Sequence, residues 1–186
     1  MAVIDADTHV DEWEETWSYM TGIDARHQPV TLVPGVDGPE GNARPGYTRH
    51  WLVGDTLSIR RIRDDRRTGT TVEARELRDI EVRLRHMDQI GVDVHILYPT
   101  AFLTYMTGDV EAQVAICKSY NRWIADKCAQ SNGRLRWVAV LPALDVESAL
   151  DEVHWASEHA ACGIFKLATE AGKRVTDPYF FPVYQA

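Results

Sequence analysis

A chain of 186 residues, 45% of them hydrophobic, can bury one sizeable core, which excludes disorder as the default state. Its 28 acids against 20 bases leave a net charge of −8 that repels phosphate backbones and anionic lipid, so neither nucleic acid nor a membrane is an expected partner. No apolar stretch approaches the roughly 20 residues of a membrane span, and acids stand near the N-terminus where a secretory signal carries bases, so a soluble cytoplasmic protein is expected.

The first element is a β-prone run, Ala2 to Asp7, inside "VIDADTHVDEWEE". In an extended strand alternate side chains share a face, so Asp5, Asp7 and His9 point one way and Ile4, Ala6 and Thr8 the other. Burying unpartnered carboxylates costs several kcal/mol each, and a divalent metal held by Asp7 and His9 would supply the partner. The spacing equally suits residues that leave the strand early for solvent, with Asp7 or Thr8 capping a turn, and by itself does not choose.

About sixty residues follow, from Val10 to Val72, where βα loops usually take roughly 2–6. This insertion carries Pro29, Pro34, Gly35, Gly38, Pro39, Gly41, Pro45 and Gly46, then "HWLVGDTLSIR", which predicts a hairpin turning at Gly54-Asp55. A lid over a pocket at the strand ends is the expected role, an arm touching another subunit the alternative. "RRIRDDRR", residues 60–67, mixes both signs and reads as a solvated loop.

A helix is predicted over Glu73 to Ile90, with Leu77, Ile80, Leu84, Met87 and Ile90 on its buried stripe and Gly91 ending it. Asp79 before Arg83 and Glu81 before Arg85 have the spacing of solvated ion pairs. "VDVHILYPT" supplies strand two, and a second helix runs from Asp109, its cap, to Asn132, with Val110, Val114, Cys117, Ile124 and Cys128 inward. "LRWVAVLP" is strand three. "DVESALDEVHWASEHAA" is helix three, with Val146, Ala149, Leu150, Val153 and Ala160 inward, and "CGIFKLAT" is strand four. In "DPYFFPVYQA" Asp177 caps a fourth helix with Pro178 at its first position. Cys117, Cys128 and Cys162 lack close Cys-x-x-Cys pairing and are expected to be reduced, buried thiols.

Four strand-helix units in this order make an α/β chain with parallel strands. Two architectures remain: half of a (β/α)8 TIM barrel, or a complete doubly wound sheet, for which no glycine-rich loop follows strand one. Barrel sites are built at the C-terminal ends of strands, so Tyr98 and Thr100 are pocket candidates. Trp13 and Trp17 could stack on an aromatic substrate or anchor the lid. His86 and His95 read as structural, and His154 and His159, about 140° apart on a helix, as surface residues.

"VIDADTHVDE", "RLRHMDQIGVDVHILYPT", "YNRWIADKCAQSNGRLRWVAVLPALDVESALDEV" and "GIFKLATEAGKRVTDPYFFPVYQA", in this order, resemble the amidohydrolase-related family. This is the branch of the amidohydrolase superfamily that holds aminocarboxymuconate-semialdehyde decarboxylase and related aromatic-acid decarboxylases. The resemblance implies a metal-dependent (β/α)8 barrel of which residues 1–186 form the N-terminal half, a single partial domain with residues 10–72 inserted. The family's strand-one ligand pair, usually His-x-His or Glu-x-His, falls on Asp7 and His9, and Asp5 matches the preceding acid, with a supporting role. A further histidine and an aspartate that handles protons come in the family from strands beyond this sequence. Lys166 lies where binuclear relatives bridge two metals, and in the one-metal branch is left to substrate contact or the surface. The expectation is an enzyme that hydrolyses or non-oxidatively decarboxylates a small acid with one divalent ion, zinc in preference to manganese. Its site residues are Asp7 and His9 for the metal and Trp13, Tyr98, Thr100 and Lys166 for a small-molecule substrate, and the protein forms a homo-oligomer. The alternative is a non-catalytic half barrel that functions by associating with itself or another chain.

Overall fold

The structure, a computed structural model, describes residues 1–32, 49–60 and 69–186. In chain order its elements are β1 (Ile4–His9), β2 (Val30–Leu32), β3 (Arg49–Val53), β4 (Thr56–Arg60), α1 (Val72–Arg75) and α2 (Ile80–Ile90). There follow β5 (Val94–Tyr98), α3 (Val110–Ala129), β6 (Leu135–Ala139), α4 (Val146–Glu158), β7 (Gly163–Ile164), β8 (Thr169–Glu170), β9 (Lys173–Arg174) and α5 (Phe181–Gln185). Among the described residues no helix is long and apolar enough to cross a membrane.

The main sheet is parallel with strand order β1-β5-β6-β7. Each crossover adds its strand on the same side as the last, whereas a doubly wound sheet reverses its order at a switch point. The sheet is therefore part of a barrel wall. One face is covered by helices and holds Leu97, Leu135, Trp137 and Ala139, all buried. The amphipathic α3 lays Ala112, Ala115, Ile116, Cys117, Tyr120, Trp123, Ile124 and Cys128 into the core. Carboxylates start the long helices by accepting backbone N–H groups: Asp79 from Val82 at 3.1 Å, Asp109 from Ala112 at 2.9 Å, and Asp145 from Ser148 at 3.2 Å. Asp177 caps the last turn in the same way, accepting from Tyr179 at 2.9 Å with Pro178 behind it.

Several expectations are corrected. The helix predicted over Glu73 to Ile90 is broken: Leu77 takes the left-handed conformation at φ 50° and Asp79 starts a new helix. Leu77 is fully buried, and its burial offsets the roughly 1–2 kcal/mol cost of that backbone. The break changes the direction of the next turn, so Arg83 is buried rather than paired on the surface, its Nε donating to His95 Nδ1 at 3.3 Å and its Nη1 to the Ala74 carbonyl at 3.1 Å. Ile90, Val110 and Ala160, expected inward, are exposed at helix ends, while Glu152, not among the residues expected inward, is wholly buried. Cys117 and Cys128 are buried as expected, but Cys162, at the start of β7, is exposed.

The hairpin turning at Gly54-Asp55 is present, and β2 joins it to make an antiparallel sheet in the order β2-β3-β4. Its inner face carries Trp51, edge-on to the buried Trp17 at 5.6 Å, and Arg60, which stacks over Trp51 at 4.3 Å and pairs with Glu14 at 2.6 Å. The outer face exposes Val30, Leu32, Leu57 and Ile59. Residues 33–48 and 61–68, with most of the proline- and glycine-rich run and nearly all of "RRIRDDRR", lie outside the described residues.

Candidate active site at the strand ends

The register of β1 against β5 pairs Asp5 with His95 and then Thr8 with Leu97, so β1 carries an extra residue between them. Such a bulge breaks the two-residue alternation. Residues paired across a parallel ladder share a face. Asp5 consequently turns toward the helix-covered side, its Oδ2 3.9 Å from His95 Nε2, while His9 shares the opposite face with Tyr98. The expected single face of Asp5, Asp7 and His9 is thus split, although Asp5 Oδ1 still accepts the Asp7 backbone N–H at 3.1 Å.

Asp7 and His9 do meet, with Asp7 Oδ1 3.7 Å from His9 Nε2. His9 Nδ1 lies 2.9 Å from the Pro99 carbonyl, which can only accept, so Nδ1 carries a proton and Nε2 is the ring nitrogen left facing Asp7. The Tyr98 ring stands 6.1 Å from His9 and 6.4 Å from Phe165, extending the same wall across β5 to the residue after β7. Among the described residues no group of three or more His, Cys, Asp or Glu side chains converges as a metal site.

Thr100 and Trp13 do not face this wall. The Thr100 and Ala101 N–H groups donate to the two oxygens of Glu12 at 3.0 and 2.8 Å, and Thr100 lines a small cleft with Trp51 and Arg60. Trp13 begins a 3-10 turn, its N–H donating to Thr16 Oγ1 at 3.2 Å, and its ring lies under the Arg78 guanidinium at 4.2 Å. Lys166 turns away from Phe165, pairs with Glu170 and stacks on Phe180 at 3.5 Å.

Glu12 was missed by sequence reasoning, hidden in an acid-rich run. Burial pushes its carboxyl up to about 8, outweighing the Ala101 N–H that pulls it down. Clamped on two backbone N–H groups, it ties the exit of β1 to the loop after β5. A second buried acid, Glu152, accepts from Asn121 Nδ2 at 2.7 Å and pairs with Arg122. Asn121 in turn holds both backbone groups of Val140, donating to its carbonyl at 2.9 Å and accepting its N–H at 3.0 Å. Val140 is thereby set as the wall of a cavity of about 330 Å³, which opens between the loop after β5, the start of α3 and the β8–β9 hairpin.

No protein-family model and no curated protein matches the chain. Solved structures do. An amidohydrolase from Mycobacterium avium subsp. paratuberculosis K-10 is 15% identical over 86% of this chain and 47% of its own, with a TM-score of 0.61. Metarhizium anisopliae IDCase in apo form is 14% identical over 98% and 47%, with a TM-score of 0.57. A Rhizobium 2,6-dihydroxybenzoate decarboxylase is 17% identical over 99% and 46%, with a TM-score of 0.54. The fold is that of the amidohydrolase barrels. The chain spans a little under half the length of these structures.

Proposed function

We propose that the chain belongs to a metal-dependent amidohydrolase-type enzyme, of which it forms the N-terminal half, and that this enzyme hydrolyses or non-oxidatively decarboxylates a small acid in the cytoplasm. The observation that carries the reading is His9, whose Nδ1 is held by Pro99 while Nε2 faces Asp7 at 3.7 Å. Imidazole ligands are commonly oriented in this way by a carbonyl on the other ring nitrogen. Donors about 2.0–2.2 Å from one ion lie roughly 3–4 Å apart, so the pair fits a shared divalent ion. Zinc, in preference to manganese, would supply Lewis-acid polarisation of a carbonyl or carboxylate when bound. Tyr98 would line the approach beside His9, and further ligands and the proton-transfer group would come from outside these residues.

The exposed Ile4 and Ile164, on the two outermost strands of the parallel sheet, favour closure of the wall by further strands, from the same polypeptide or from another copy. Metal content after dialysis against zinc tests the site. The native chain is expected to retain zinc and His9→Ala to lose most of it, with Asp7→Ala weakened by about tenfold or more. Equal zinc retention by all three proteins would sink the reading.

A further inference from the structure

The cavity beside the mouth has a polarity that Asp7 and His9 do not account for. Its volume of about 330 Å³ falls within the range of small-molecule sites, roughly 300–1,000 Å³. Phe102, Met106, Ile116, Val140, Phe165 and Leu167 give it apolar walls. Among the described residues Glu170 is the one charged side chain lining it, and that charge is already met: Oε1 accepts the Leu167 N–H at 2.8 Å and Oε2 takes the Lys166 ammonium. A carboxylate entering the cavity would lose water and meet no cation among the described lining residues, and an ammonium would have to compete with Lys166 for Glu170.

Gln113 gives the cavity its direction. Its Oε1 accepts the Leu144 N–H at 2.7 Å, and because a backbone N–H can only donate, the orientation of the amide is set. Its Nε2 hydrogens therefore turn away from Leu144, and Gln113 is part of the cavity wall. We propose that this cavity binds an uncharged, largely apolar small molecule whose carbonyl oxygen accepts a hydrogen bond from Gln113 Nε2. The assignment stands independently of a metal at Asp7 and His9.

Isothermal titration of the full chain with three ligands of similar size tests it: acetanilide, phenylacetate and phenethylammonium. Acetanilide is expected to bind, and the two ions to bind at least about tenfold more weakly. Gln113→Leu should lower acetanilide affinity by about tenfold, because the carbonyl then enters without a donor. Thr169→Trp, at the exposed rim, should fill the opening and abolish binding while its thermal midpoint shows that the fold is kept. His9→Ala should leave acetanilide affinity within about twofold, which separates this site from the metal reading. Absence of acetanilide binding, equal or tighter binding of phenylacetate, or indifference to both cavity substitutions would overturn the proposal, as would loss of acetanilide binding in His9→Ala.

Discussion

Glu12 and His95 are both buried polar groups beside β-strands, one at the mouth and one under the helices, and burial drives them to opposite pH behaviour. Glu12 meets two backbone N–H groups, and burial pushes it up to about 8. His95 accepts from Arg83, and burial, with Arg83 adding to it, pushes the ring down to about 4. Each is favoured in its neutral form because a low-dielectric site penalises charge. The helix-covered face uses its polar group to steady a core of large apolar side chains. At the mouth a polar group tethers a loop that bears on the candidate site.

The sharpest test of this contrast removes one large side chain from the helix-covered face. Trp137→Ala is expected to cost about 3–5 kcal/mol in urea unfolding, because the ring is buried between the sheet and Trp155. Asn121→Ala should cost about 2–3 kcal/mol by the same measurement, since it leaves both backbone groups of Val140 without their partner and removes one of the two donors to Glu152 Oε2, the other being Arg122.

The pH profile is a finer probe. The Glu12 pKa is raised on folding, from 4.5 to about 8, so its contribution to stability is complete below pH 4.5 and is lost as pH rises toward 8. The His95 pKa is lowered, from 6.5 to about 4, so its contribution is complete above pH 6.5 and is lost as pH falls toward 4. The two slopes oppose one another between pH 4.5 and 6.5. Replacing Glu12 by Gln should therefore leave stability rising more steeply with pH across that window, by up to about one linked proton. A slope unchanged by Glu12→Gln would mean that the carboxyl titrates normally. The smallest effect is expected at the mouth itself: His9→Ala should cost about 1 kcal/mol or less in unfolding, the value of its hydrogen bond to Pro99. A loss as large as that of Trp137→Ala would erase the distinction between the two regions.

The parallel strands, the caps at Asp109 and Asp177, and the Gly54-Asp55 turn were legible because each depends on neighbours within a few residues. The helix break at Leu77 was not, because a left-handed leucine is held by burial, which a local pattern does not contain. The site was half legible. The i, i+2 spacing of Asp7 and His9 survives the bulge, but Asp5, on its other side, is turned away. Glu12 and Gln113 gave no signal, since an acid in an acid-rich run and a glutamine on a helix look solvated until their backbone partners, 88 and 31 residues away, are known.

From the order of residues alone came the class of fold and the four strand-helix units, because periodicity and capping are short-range properties of the chain, whereas alternation left Asp7 and His9 open between a metal and solvent. Tertiary structure decided that the strand order runs one way as in a barrel, that Asp5 faces His95, and that Glu12 and Gln113 hold the walls of the mouth and the cavity. These outcomes rest on which distant backbone group each side chain meets once water is excluded, and a linear pattern does not encode that meeting.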